Sequence, residues 1–143
     1  MGNGVRDRTR REGGDLVTSH GSERGPIEDY KDLELWQRAM ALCETIYELT
    51  QGFPEGERYG LASQVRRAAV SIPANIAEGY ARGSRQDYCR FVKIARGSAA
   101  ELETELMLAE RLRLSDTGAV GEAQEELTVV RRLIQGLVNA LDD

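Results

Sequence analysis

From residue 32 onward, apolar residues recur along the chain at helical spacing, and no segment alternates with the two-residue period of a strand. Leu35, Ala39, Leu42, Ile46 and Leu49 fall three or four residues apart, with Trp36, Met40, Cys43 and Tyr47 in an adjacent stripe. The first predicted helix, starting at Asp32, is therefore apolar over a wide arc and must meet neighbours on more than one side. Gly52, Phe53 and Pro54 end it. A second helix, from Glu57 or Tyr59 to Glu78, carries Leu61, Val65, Ala68, Ile72 and Ile76, and Gly79 reads as its C-terminal stop. Pro73 lies inside it, removes the bond to the Ala69 carbonyl at a cost of about 3 kcal/mol, and predicts a kink over 69–73. Ser84, with Asp87 three residues on, predicts the capped start of a third helix that runs to Leu112. Its stripe is Tyr88, Phe91, Ala95, Ser98, Leu102, Leu106 and Ala109. After a turn over 115–121, a fourth helix carries Leu127, Val130, Leu133 or Ile134, Leu137, Val138 and Leu141.

Four amphipathic helices joined by short turns predict an all-α protein, and an antiparallel up-down-up-down four-helix bundle over 28–143 buries every stripe most simply. At 143 residues this is one domain. Residues 1–27 hold six glycines and five arginines but almost nothing apolar, so they read as a disordered, flexible N-terminal arm. Arg6, Arg8, Arg10 and Arg11 could touch an anion, but Asp7, Glu12, Asp15 and Glu23 dilute their field.

Composition narrows the chemistry. Apolar residues make up 41% and charged residues 30%, which fits neither a disordered nor a membrane chain, and no apolar run approaches the ~18 residues that span a bilayer. The only histidine is His20, in the polar arm, so Ser-His and Cys-His nucleophile pairs and histidine-rich metal sites have no support. Cys43 and Cys89 lack CxxC spacing and follow no secretory signal, so they read as small buried hydrophobes of a cytoplasmic protein. Neither GxxxxGK nor GxGxxG occurs. No catalytic, metal or cofactor site is therefore expected; an enzyme would have to rest on Glu78 and Glu101 as acid/base groups or Mg2+ ligands.

Residues 66–80, RRAAVSIPANIAEGY, and 93–105, KIARGSAAELETE, are rich in Ala, Ser and Gly where a bundle core usually has Leu. Small residues let helix axes approach, so Ala68, Ala69, Ser71, Ala74 and Ala77 are predicted to lie near Gly97, Ser98 and Ala99. Asn75, Glu78, Ser98 and Glu101 are the polar residues of that zone. Either Asn75 and Glu78 satisfy the backbone groups freed by Pro73 and cap the corner, or they line a ligand site.

The net charge of -5 hides an asymmetry. Residues 58–96 contain eight basic and two acidic side chains, a balance of +6, whereas 97–143 contain four basic and ten acidic, a balance of -6. Arg66, Arg67, Arg82, Arg85, Arg90 and Lys93 form the candidate surface for RNA, DNA or a nucleoprotein partner, with Arg82 and Arg85 in the turn. The same arginines could instead pair with the acidic helices, within one chain or across a subunit interface. Trp36, Met40 and Tyr47 are candidates for that interface, or else complete a broad core.

The strings DLELWQRAMALCETIYELT, FPEGERYGLASQVRRAAVSIPANIAEGYARGS and FVKIARGSAAELETELMLA closely resemble the proteins encoded in intervening sequences of bacterial 23S ribosomal RNA genes. Ser71–Gly79 (SIPANIAEG) and the Gly97, Ser98, Glu101 and Leu102 positions of a GSxxEL pattern are the most specific parts. The resemblance implies a four-helix protomer that assembles into a homo-oligomeric ring, often a pentamer. It also implies kinship with accessory subunits of the reverse transcriptase of diversity-generating retroelements, whose basic surface engages RNA, DNA or the polymerase.

Overall fold

The computed structural model describes residues 27–142; the predicted arm lies outside them except for Ile27, which is half-buried against the core. Four helices form the bundle: α1 (Glu34–Gln51), α2 (Leu61–Ala81), α3 (Arg85–Arg111) and α4 (Thr117–Leu141). No strand occurs among the described residues. Each helix packs against two others, α2 between α1 and α3 and α4 between α3 and α1, while α1 and α3 stand diagonally opposite without contact.

The apolar stripes are the core. Leu35, Ala39, Leu42, Ile46 and Leu49 of α1 and Leu61, Val65, Ala68, Ile72 and Ile76 of α2 are buried as their spacing requires. On α4 the buried residues Val120, Ala123, Leu127, Val130, Ile134, Leu137 and Leu141 alternate three- and four-residue steps, the seam that two-sided helix packing favours. Ile134 is fully buried, and Leu133 packs at the margin.

Several boundaries differ from the sequence expectation, each for a local reason. A 3-10 turn over Tyr30–Asp32 precedes α1. Asp29 accepts from the Lys31 amide at 2.7 Å, and Asp32 accepts from the amides of Glu28 and Asp29 at 2.9 and 3.1 Å. Those two backbone bonds hold the Asp32 carboxyl below the usual carboxylate range. α4 starts at Thr117 rather than after Gly121, because Asp116 caps it by accepting from the Gly118 amide at 2.9 Å. At the start of α3, Ser84 Oγ accepts from the Asp87 amide at 3.0 Å, as predicted, while the Asp87 carboxylate turns to Arg90.

α2 continues past Gly79 to Ala81, so Gly79 is not its stop. The left-handed residue that turns the chain is Gly83, at φ +86°. Gly79 is instead a point of close approach to α3: a Cβ there would stand 2.6 Å from Phe91 Cβ and 3.3 Å from the Tyr88 carbonyl oxygen. Pro73 is buried inside α2, and the helix runs through it. The Ala69 carbonyl, which loses its normal amide donor to Pro73, accepts instead from Cys43 Sγ on α1 at 3.3 Å. Burial pushes the Cys43 thiol up to about 11, with Glu44 adding to the shift, so it acts as a donor and not as a nucleophile.

Beneath this corner Tyr88 is fully buried, its ring edge-on to Tyr80 at 5.5 Å, and its hydroxyl has no hydrogen-bond partner among the described residues. Burial above all, and then Tyr80, drives its ionisation far above the ordinary tyrosine range. A buried hydroxyl without a partner costs more than it contributes, so Tyr88→Phe is expected to stabilise the fold by about 1 kcal/mol. Chemical denaturation checks this, and a loss of stability would show that the hydroxyl is satisfied.

Candidate interaction surface

The small-residue zone does bring α2 and α3 together. Ser71 Oγ and Ser98 Oγ are 2.7 Å apart, and Asn75 Nδ2 donates to the Ser71 carbonyl at 2.8 Å and to Ser71 Oγ at 2.9 Å. Ala69 and Ala99 are fully buried, whereas Ala74 and Gly97 are exposed, and a Cβ at Gly97 would meet nothing within 4 Å. Gly97 is thus no contact position. Of the four polar residues singled out by sequence, the structure links Asn75 and Ser98 through Ser71 and separates the two acids. Glu78 forms an exposed pair with Arg82 at 3.1 Å, and Glu101 lies on α3 one turn before Glu105. The carbonyl freed by Pro73 is served by Cys43, not by Asn75 or Glu78.

Glu105 is the residue that the sequence reading missed. It retains 7% of its surface, and its Oε1 has no partner among the described residues. Burial, then a hydrogen bond to Glu101 and the charge of that carboxylate, push the Glu105 carboxyl up to about 7, with Arg67 of α2 opposing the rise. The available signal was its place between Leu102, Leu106 and Ala109, three core residues of the same helix.

The six basic candidates are mostly committed within the chain. Arg66 donates from Nε to Thr50 Oγ1 at 2.7 Å and lies over the Tyr47 ring at 4.5 Å. Arg82 and Arg90 flank Phe91 at 4.8 and 4.5 Å from its centroid while facing Glu78 and Asp87. Arg85 reaches across the bundle to the Ala140 carbonyl at 2.7 Å, closing the C-terminal end of α4. Lys93 pairs with Asp142 at 3.1 Å. Such exposed pairs contribute only about 0–1 kcal/mol each, and since Glu78 and Asp87 are already counted in the +6, only Asp142 brings a negative charge from outside that segment. A cleft of about 520 Å³ between α1 and α4 is lined by Glu44, Glu48, Glu125 and Glu126 together with Arg38 and Thr45, and its field repels phosphate. No three His, Cys, Asp or Glu side chains converge as a cation site among the described residues. None of the helices there is long and apolar enough to cross a membrane.

Exposed apolar surface lies elsewhere. On α3, Ile94 and Leu108 are each 43% exposed and fall on one side with Glu101, and Leu112, the residue that caps the helix, is 54% exposed; Met107 on α3 and Val70 on α2 are exposed as well. On α1, Met40 and Tyr47, seven residues apart, are 40% and 43% exposed. Trp36, the third interface candidate, is half-buried and turned edge-on to Tyr30 at 5.5 Å, so it packs largely on its own chain.

No curated protein matches the sequence. Among solved structures, a protein of unknown function from the S23 ribosomal protein family of Bacteroides thetaiotaomicron superposes with a TM-score of 0.68 at 23% identity. The match covers 73% of this chain and 97% of that one, a likeness of fold. The family model of the 23S rRNA-intervening sequence protein matches residues 31–136, which span the 3-10 turn and nearly all of the four helices, and the chain belongs to that family.

Proposed function

We propose that the protein is a non-enzymatic assembly module, an up-down-up-down bundle that joins copies of itself into a ring and works through the surface this creates. The observation that carries the reading is the exposed apolar surface on α1 and α3, which stand opposite each other: Met40 and Tyr47 on α1, and Ile94 and Leu108 on α3 with Leu112 at its C-cap. A closed ring is built from two different, complementary patches on each copy, repeated head to tail. Contacts that run in reverse order along neighbouring helices support the topology: Cys43 meets Ala69 while Thr50 meets Arg66, and Arg96 meets Gln135 while Glu103 meets Arg131. Light scattering tests the assembly, which should run at a small multiple of 15.9 kDa; a monomer would remove it.

A second reading, contact with RNA, DNA or a polymerase bound to them, is favoured by Arg82 and Arg90 flanking Phe91, with Arg85 in the same corner. Their carboxylate partners are exposed, so phosphates can displace them. Retention of nucleic acid at about 50 mM salt, weakened when Arg82 and Arg85 are both changed to Ala, is the expected result. No retention at that salt would leave the assembly reading alone.

A further inference from the structure

Glu105 sits in the seam between α2 and α3 with one carboxylate oxygen buried and unpartnered, a placement that a charged carboxylate tolerates poorly. Three observations bear on what relieves it. Its neighbour one turn back, Glu101, is exposed and supplies an acceptor rather than a donor. Arg67, exposed on α2, is the cation whose charge opposes the rise, and it makes no ion pair with Glu105. α4, the other helix packed on α3, sends Arg131 to Glu103 at 2.7 Å and Gln124 to Glu110 at 3.4 Å, leaving Glu105 to the α2 side.

We propose that Glu105, beside Glu101 one turn away, fastens the α2–α3 seam while it is protonated and loosens it when that proton leaves. In the protonated state Glu105 donates its O–H to the Glu101 carboxylate, and the buried carbonyl oxygen that remains carries little charge. In the ionised state two carboxylates face each other beside a single guanidinium, Arg67.

The sign follows from where the proton is held. The raised carboxyl, at about 7 against 4.5 for an ordinary glutamate, means that the folded chain keeps a proton that the unfolded chain gives up between those values. Stability from the pair is fully present below about pH 4.5 and is lost as pH rises through about 7. Asp32, lowered below 3.8, acts in a different window: its contribution is lost only as pH falls toward and below that value.

A carbon-13 titration of the glutamate carboxyls in the intact protein tests the pair directly, and melting temperatures at pH 5 and pH 8 test its consequence. One carboxyl is expected to titrate near neutrality, to vanish from the spectrum of Glu105→Gln and to move acid-ward in Glu101→Gln. The wild type should lose several degrees between pH 5 and pH 8, and Glu105→Gln should lose markedly less. Titration of every glutamate between about 4 and 5 would overturn the pair. A near-neutral Glu105 with the same melting temperature at both pH values would overturn the loosening. Should Glu105→Gln fail to fold, disappearance of the near-neutral titration in Glu105→Asp, or its survival there, decides the assignment.

Discussion

Replacing Gly79 with alanine is expected to lower the melting temperature by a few degrees, although the same change in an exposed helix interior ordinarily helps. The added Cβ would lie 2.6 Å from Phe91 Cβ, 3.3 Å from the Tyr88 carbonyl and 3.4 Å from Tyr88 Cα. These are atoms of the α3 backbone and its first side-chain carbon, which cannot rotate aside, so α2 and α3 must separate by about an ångström near their connection. Separation strains the Tyr80–Tyr88 contact and the stack of Arg82 and Arg90 on Phe91. Overpacking of this kind costs about 1–3 kcal/mol or more, against about 1 kcal/mol gained from alanine's helix propensity, and the residual loss grows for Gly79→Val. Gly97→Ala is the matched control. That glycine is exposed on α3 with nothing near its Cβ position, so the variant should gain about 0.5–1 kcal/mol. Equal stability of Gly79→Ala and wild type in a thermal melt would mean that the two helices do not approach as closely as described.

The same two glycines show what the sequence could and could not convey. The α2 stripe steps from Ile72 to Ile76 by four and would reach Gly79 by three, so its phase already marks residue 79 as a core position; the general association of glycine with helix ends obscured it. Gly97, between Ala95 and Ala99, falls off the α3 stripe, and it is exposed. Core residues were legible because burial follows a period that the chain prints openly. The partners of polar side chains were not, because they depend on how two helices align. Nothing in the spacing pairs Cys43 with the carbonyl that Pro73 orphans, or sends Arg85 to the far end of α4. For the same reason the sequence counts the charges of the +6 segment but not their partners: Glu78, Asp87 and, from the far end of the chain, Asp142 sit against Arg82, Arg90 and Lys93. Glu105 went unnoticed for a simpler reason: charged residues mostly face water, and this one is 7% exposed.

On the proposed assembly, changing Ile94 and Leu108 together to glutamate is expected to leave a 15.9 kDa monomer without loss of helix. Both side chains are 43% exposed on the outer stripe of α3, so the protomer loses little when they become polar, within about 0.5 kcal/mol for a surface change. In a subunit contact the outcome differs. Each new carboxylate would be taken out of water in a contact built for apolar side chains, and a buried charge left without a partner costs about 3–5 kcal/mol. That corresponds to roughly 10²–10⁴-fold in the dissociation constant of every contact, and a ring repeats the contact once per subunit. Met40→Glu, on the opposite α1 face, should act in the same direction, since a head-to-tail ring needs both patches. Retention of the wild-type mass by the α3 double variant in sedimentation, with circular dichroism unchanged, would exclude this stripe from the interface. Dissociation by the α3 variant alone, with Met40→Glu still fully assembled, would instead indicate a two-fold contact of α3 stripes, because a ring cannot close on one patch used twice.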